Sequence, residues 1–187
     1  MNKDFYNLEF DKALDFIADS SYEFCTFKDI DFTALSLKSI KFITCTFDNC
    51  NLANCSLQGS IFQDITFRRC KLLGLHFDDA NPFGFSCQFL NCQMNHASFY
   101  QMQLQNCSFI CCNLLGSDFS EVKAQGVSFE GSNLQDVVFE RTDLRKANLL
   151  ATQGLFLDPD QNHIEKAKIN RLQLHGLLSK YNIEIHE

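Results

Sequence analysis

Large apolar side chains recur at every fifth position through most of the chain. One series runs from Tyr22 to Phe77 and a second from Phe89 to Leu149, and Ala124 is the only small residue in either. An α-helix would give a period of about 3.6 residues and a half-buried strand a period of about 2. The pattern therefore indicates an internal repeat in which each unit contributes one large inward residue, here called the centre.

The position two residues before each centre holds small or medium-sized residues, and nine of the ten cysteines occupy it. Metal ligands would converge on one point, whereas these cysteines are spread along the chain at one phase of the repeat. A buried free cysteine packs as a small hydrophobe, so we expect nine core thiols that stay unpaired. They are Cys25, Cys45, Cys50, Cys55, Cys70, Cys87, Cys92, Cys107 and Cys112.

The two series of centres are out of phase, because twelve residues separate Phe77 from Phe89 where ten would keep the register. One repeat, Ala80–Ser86, therefore carries two extra residues. Proline and glycine within it favour a turn. We expect a small loop that leaves one corner of the structure. Its residues are Asn81, Pro82, Phe83, Gly84 and Phe85.

The alternation of a small residue, a polar residue and a large centre resembles the A(D/N)LXX signature of pentapeptide-repeat proteins from about Tyr22 to Leu150. The resemblance implies an all-β fold, a right-handed quadrilateral parallel β-helix built from four five-residue sides per coil. Centres and their minus-two neighbours would point inward. The expected organisation is an N-terminal cap over 1–21, the β-helix over 22–150 with its interruption near 80–86, and a C-terminal extension over 151–187.

In such a coil, equivalent residues of successive coils lie directly above one another. One side then carries an almost continuous phenylalanine ladder in the interior. Each buried phenylalanine contributes roughly 1.5–3 kcal/mol, so we expect the ladder to dominate the stability of the fold. Its members are Phe27, Phe47, Phe67, Phe89, Phe109 and Phe129.

The C-terminal extension contains the pattern of an amphipathic helix over about 171–181. Its Leu174, Leu177, Leu178 and Tyr181 recur at the spacing of one helix face. The surrounding segment KINRLQLHGLLSKYNIEI is similar to the C-terminal end of the quinolone-resistance, microcin-immunity and albicidin-resistance group of pentapeptide-repeat proteins. That similarity implies a capping helix that joins two copies into a homodimer.

The formal net charge of −7 disfavours direct nucleic-acid binding, which requires basic side chains to neutralise phosphates. No apolar stretch is long enough to cross a membrane, and the first residues do not have the apolar core of a signal peptide, so we expect a cytoplasmic protein. The sequence contains no motif for a metal or cofactor. With a filled interior and no cleft implied, we expect a binding protein and no enzyme.

The outer surface of one side predicts a stripe of carboxylates. The side centred on Phe77, Phe99, Phe119 and Phe139 projects Asp78, Asp79, Asp118, Glu121 and Glu140. A negative stripe suits a basic protein partner. The resemblance implies a rod that mimics duplex DNA on a type II topoisomerase, DNA gyrase or topoisomerase IV, and protects or inhibits it. The alternative is a pentapeptide-repeat scaffold or interaction module with no topoisomerase role.

Overall fold

Short parallel strands stack along two sides of a four-sided coil in the computed structural model, which describes residues 3–11, 20–33, 35–181 and 183. Each strand covers only two to four residues because the chain turns a corner after every centre. The strands are β1 Asp4–Tyr6, β2 Glu9–Phe10, β3 Ser21–Glu23, β4 Thr26–Lys28, β5 Lys41–Ile43, β6 Thr46–Asp48, β7 Ile61–Gln63, β8 Ile65–Arg68, β9 Cys87–Leu90 and β10 Ser108–Ile110.

The strands form two parallel sheets, ordered β1-β3-β5-β7 and β2-β4-β6-β8-β9-β10. Phe27 pairs with Phe47, twenty residues later, so one coil contains four repeats. The step grows to twenty-two residues where Phe67 pairs with Phe89, and returns to twenty between Phe89 and Phe109. The other two sides are joined by isolated parallel bridges with the same spacing. The predicted all-β parallel β-helix is therefore confirmed.

Most described corners of the coil turn at the second residue after a centre, which adopts a left-handed backbone. Asn49, Asn54 and Asp64 have φ values of 54°, 56° and 54° at this position. Asn, Asp and Gly adopt this region most readily, because a side chain branching close to the backbone clashes there. Polar residues thus follow the centres for two reasons: the left-handed corner favours Asn and Asp, and these positions face water.

The centres fill the interior as columns of rings. On the ladder side, the side that contains the six predicted phenylalanines, consecutive rings stack face to face at centroid distances of 4.7 to 5.3 Å. Rings of the opposite side meet them edge to face; Phe99 and Phe109, for example, are 5.2 Å apart at 85°. All six ladder residues are fully buried. Offset and edge contacts of this kind add to the stabilisation that burial provides.

The minus-two side chains satisfy carbonyl groups inside the coil. Cys50 Sγ donates to the Phe27 carbonyl at 3.3 Å, Cys70 Sγ to the Phe47 carbonyl at 3.3 Å, and Cys112 Sγ to the Phe89 carbonyl at 3.4 Å. One coil further, Ser132 Oγ makes the equivalent bond to the Phe109 carbonyl at 3.0 Å. Where this position holds Cys, Ser or Thr, its side chain adds a hydrogen bond inside the coil, whereas the Ala, Val, Ile and Leu found there in other repeats contribute packing alone. All ten cysteines are free thiols, and only Cys111 is exposed.

The stacked arrangement extends beyond the segment expected from the sequence at both ends. At the start, β1 and β2 already pair with β3 and β4. At the end, bridges continue to Lys168, which pairs with Asn148. The segment predicted as one helix over 171–181 is divided into a 3-10 turn Arg171–Gln173, a short helix α1 Leu174–Leu178 and a second 3-10 turn Ser179–Tyr181.

Candidate partner-binding surface

The predicted carboxylates lie on the outer surface of one side of the coil, which we call the acidic face (Asp78, Asp79, Asp118, Glu121 and Glu140). Bridges from His76 to Ser98, from Ser98 to Asp118 and from Asp118 to Val138 place its coils directly above one another. Asp78 and Asp79 belong to a 3-10 turn over Phe77–Asp79, which continues the coil without an outward excursion. The five side chains therefore share one face, spread over four coils.

Part of this negative charge is neutralised locally. Arg141 Nη2 donates to Glu121 Oε1 at 2.6 Å, and Gln101 Nε2 donates to Glu121 Oε2 at 2.8 Å. These bonds, the one from Arg141 first, hold the pKa of Glu121 below its usual value. His76 Nδ1 lies 3.6 Å from Asp78 Oδ1, an atom that is buried without a hydrogen-bond donor among the described residues.

The remaining carboxylates of the acidic face, Asp79, Asp118 and Glu140, make no ion pair with any described residue. Asp118 Oδ1 accepts a hydrogen bond from the Ser120 backbone N–H at 2.8 Å, which fixes the carboxylate against the coil. These three carboxylates are therefore free of a direct cation contact within the described part of the chain, although Arg141 interacts with Glu140 through its charge.

Two further carboxylates, which the sequence analysis did not include, have the spacing of one coil relative to the acidic face. Asp158 and Asp160 come twenty residues after Val138 and Glu140. Both bind Lys180, with 2.5 Å between Lys180 Nζ and Asp158 Oδ1. The bond from Lys180 lowers the pKa of Asp158. The twenty-residue spacing could have identified these two carboxylates from the sequence. Their neutralisation by Lys180 could not be predicted, because it depends on the fold of the C-terminal segment.

The interruption forms a compact loop with one projecting side chain. Asn81 Oδ1 accepts from the Phe83 backbone N–H at 2.9 Å, and Gln63 Nε2 donates to the Phe83 carbonyl at 3.3 Å. The Phe83 side chain is 82% exposed. Phe85, by contrast, is 3% exposed and packs against Phe62, so it takes the place of the interior centre on this side. The predicted five-residue loop is thus reduced at its surface to Asn81–Gly84.

The C-terminal element both covers the last coil and exposes apolar surface. Gly176 packs on the Leu155 carbonyl so closely that a Cβ would lie 1.7 Å from its oxygen, and Leu177 is 8% exposed. Gln173 Nε2 donates to the carbonyls of Leu149 and Thr152 at 3.1 and 2.9 Å. Of the four residues predicted for a dimer helix, Leu177 is thus buried in its own chain. Leu178 is half-buried, while Leu174 and Tyr181 are exposed, beside exposed Phe156 and Leu172.

Two of the buried thiols, those of Cys45 and Cys107, are poor nucleophiles. Burial raises the pKa of Cys45 to about 12 and that of Cys107 to about 12, which keeps them protonated at neutral pH. Among the described residues, no group of three or more His, Cys, Asp or Glu side chains is arranged to hold a metal ion. No helix formed by the same residues has the length and apolar character needed to cross a membrane.

Two sequence models of one family match the chain on either side of the interruption. The model for pentapeptide repeats (8 copies) matches residues 45–81, and the model for a pentapeptide repeat region matches residues 85–153. Together they span more than half of the chain. The chain belongs to the pentapeptide-repeat family. The gap between the two matches, residues 82–84, is the exposed part of the loop.

Several solved structures of pentapeptide-repeat proteins resemble this one. A trypsin-treated form of QnrB1, a plasmid-mediated fluoroquinolone resistance protein, is 19% identical, with 99% of this chain and 98% of that chain covered and a TM-score of 0.47. HetL from Nostoc sp. strain PCC 7120, involved in heterocyst differentiation regulation, is 13% identical over 88% and 84%, with a TM-score of 0.31. Rfr23 from Cyanothece 51142 is 18% identical over 57% and 88%, with a TM-score of 0.26. No protein with a curated description matches the chain in sequence.

Proposed function

We propose that this pentapeptide-repeat protein is a non-catalytic binding protein whose acidic face occupies the DNA-binding surface of a type II topoisomerase. DNA gyrase is the first candidate and topoisomerase IV the second, and the protein would protect or inhibit the enzyme in the cytoplasm. The observation that supports this is the line of carboxylates on one straight side of a rod. A surface that binds duplex DNA is basic, so a regular row of negative charges complements it.

The charge density of the acidic face determines how closely this surface can mimic duplex DNA. Over about 15 Å, three coil steps of about 4.8 Å, duplex DNA carries about nine phosphate charges. The acidic face places five carboxylates over the same distance, and Arg141 pairs with one of them. The protein should therefore release fewer counterions than DNA and lose less affinity as the salt concentration rises.

A gyrase supercoiling assay, with and without a fluoroquinolone, tests this function. The wild-type protein should inhibit supercoiling or reduce drug-stabilised cleavage at micromolar concentration. The double variant Asp118→Asn/Glu140→Gln should be about threefold to tenfold less potent, because two exposed charges contribute up to about 1 kcal/mol each. Asparagine keeps the Oδ1 acceptor that bonds the Ser120 N–H.

The matched control is Glu130→Gln/Glu165→Gln, which removes two exposed negative charges outside the acidic face. It should leave potency unchanged. If the wild-type protein shows no inhibition, no protection and no binding, the topoisomerase role is wrong. The chain would then be a scaffold or interaction module for another partner.

The exposed Phe83 is the proposed anchor of the interruption loop on the partner. Large aromatic side chains that enter a partner's pocket contribute disproportionately to binding energy. The loop's own bonds, from Asn81 and Gln63, hold Phe83 outward before any partner arrives, which lowers the entropic cost of binding.

A homodimer through the C-terminal element is the second part of the proposal. Leu172 is 93% exposed and lies on the same element as exposed Leu174 and Tyr181, and a second copy would cover this apolar surface. Leu177 is excluded from the interface because it packs in its own chain.

Light scattering of the double variant Leu172→Glu/Leu174→Glu tests the dimer. At about 50 μM the wild type should be dimeric and the variant monomeric, since two charges in an apolar interface cost several kcal/mol. The control Leu8→Glu, at an exposed leucine near the opposite end, should remain dimeric. A monomeric wild type at this concentration would contradict the dimer.

A further inference from the structure

A notch lies on the side of the coil between the ladder side and the acidic face. The corner residues there are Asn54, Gly74, His96 and Gly116, all left-handed, with φ of 56°, 60°, 58° and 65°. Along this column of corner residues, Asn54 and His96 therefore alternate with two glycines, which have no side chain. Asn54 lies over Gly74 and His96 over Gly116, since a Cβ added at either glycine would lie 2.6 Å from the neighbouring side chain.

The space beside Gly74 has a volume of about 630 Å³. This is within the range of about 300–1,000 Å³ found for small-molecule sites. Leu73 supplies apolar lining, and the other lining side chains are polar. They are Asn54, Lys71, Gln93, Asn95 and His96.

The notch contains one lysine without an ion-pair partner among the described residues. Lys71 makes no ion pair or hydrogen bond through its side chain with any of them, whereas Arg69, two residues earlier, pairs with Asp48 at 2.5 Å. Asp31 interacts with Lys71 through its charge, but its Oδ1 is held by the Thr33 hydroxyl and N–H. The lysine ammonium therefore remains available to an anion.

The amide groups reinforce this preference for an acceptor. Gln93 Oε1 accepts from Asn113 Nδ2 at 3.2 Å, and Asn113 Oδ1 in turn accepts from Asn133 Nδ2 at 3.0 Å. This amide chain engages the oxygen of Gln93 toward the next coil and leaves its Nε2 hydrogens for a ligand. The notch thus combines a cation with several N–H donors, and a tetrahedral phosphate offers three acceptor oxygens to such a set.

We infer that this notch binds a small phosphate monoester, with the phosphate at Lys71 and Gln93 and the organic body against Leu73. The site is separate from the acidic face and does not depend on the topoisomerase role. A two-dimensional ¹H–¹⁵N NMR titration with ribose 5-phosphate, inorganic phosphate and ribose tests it. Ribose 5-phosphate should give saturable shifts at Leu73, Gly74, Gln93 and Asn95 below about 5 mM. Inorganic phosphate should shift the same signals more weakly, and ribose should not shift them.

Two variants separate the notch from general attraction of anions. Lys71→Gln should weaken ribose 5-phosphate binding about tenfold, the loss expected for one hydrogen bond to a charged group. Gly74→Asn should abolish binding by filling the notch. Asparagine already occupies the equivalent corner at Asn54, with φ 56°, and the flexible Asn54 amide can rotate away.

Matched controls are Lys123→Gln, at a lysine outside the notch, and Gly126→Asn, at a left-handed corner where a Cβ would meet nothing within 4 Å. Both should bind ribose 5-phosphate like the wild type. The inference is overturned if the shifts centre on other basic residues such as Arg145 and Lys146, if ribose 5-phosphate gives no saturable shift, or if Lys71→Gln binds as tightly as the wild type.

Discussion

The inward and outward residues of the acidic face belong to the same repeats but obey different constraints. Inside, Phe77, Phe99 and Phe119 stack at centroid distances of 4.8 Å, and each has no exposed surface. Outside, the coil between Asp78 and Asp118 carries Ser98 and Tyr100 at positions that elsewhere hold carboxylates. Packing restricts which residues can occupy the inward positions of every coil. An outward residue only has to be compatible with solvent and with the backbone conformation of the corner. The inward residues therefore determine the fold, and the outward residues determine which partner can bind.

The interior should be far more sensitive to substitution than the exterior. Phe109→Ala removes a ring that stacks on both Phe89 and Phe129 and leaves a cavity that neighbouring coils cannot close. We expect it to lower the free energy of unfolding by about 3–5 kcal/mol. Chemical denaturation measures this. Glu140→Gln, on the outside, should change it by less than about 0.5 kcal/mol. Equal effects of the two variants would contradict the distinction.

A smaller effect is expected inside the coil where hydrogen bonding can be retained. Cys112→Ser should cost less than Cys112→Ala, because a serine hydroxyl can still donate to the Phe89 carbonyl, as Ser132 does to Phe109. Cys112→Ala removes this hydrogen bond, at about 0.5–1.5 kcal/mol. The two variants are compared by thermal and chemical unfolding. If alanine were the better tolerated, the thiol bonds would have no part in selecting this position.

Much of the fold could be predicted because its signal is periodic. The twelve residues between Phe77 and Phe89 place the interruption, and the structure gives a twenty-two-residue step there. The place of Phe85 could not be read in the same way, since a seven-residue side offers more than one candidate centre. Phe85 packs inward, and Phe83 projects. Which of two nearby aromatics fills the core depends on the loop's backbone.

The candidate surface was less predictable because it depends on contacts between coils. The spacing places Glu121 on the acidic face, but the position of the Arg141 guanidinium decides how much of that charge remains. Likewise, the helical spacing groups Leu177 with Leu174, while the close approach of Gly176 to Leu155 turns Leu177 inward. A short helix takes its orientation from tertiary packing, which a sequence pattern does not contain.

The acidic face also allows a variant that should gain affinity. Arg141→Gln removes the guanidinium that pairs with Glu121, so the face becomes more negative without the loss of any carboxylate. The pKa of Glu121 should rise toward its usual value, because the bond from Arg141 is the largest cause of its depression. Carboxyl-carbon NMR measures that change. An unchanged Glu121 pKa would contradict the pairing.

Displacement of labelled duplex DNA from DNA gyrase, followed by fluorescence anisotropy, tests the central claim most directly. We expect the protein to displace DNA, Arg141→Gln to do so at lower concentration, and Asp118→Asn/Glu140→Gln to require about threefold to tenfold more protein. The control Glu130→Gln/Glu165→Gln should match the wild type. No displacement, or equal displacement by all four proteins, would contradict the role of the acidic face.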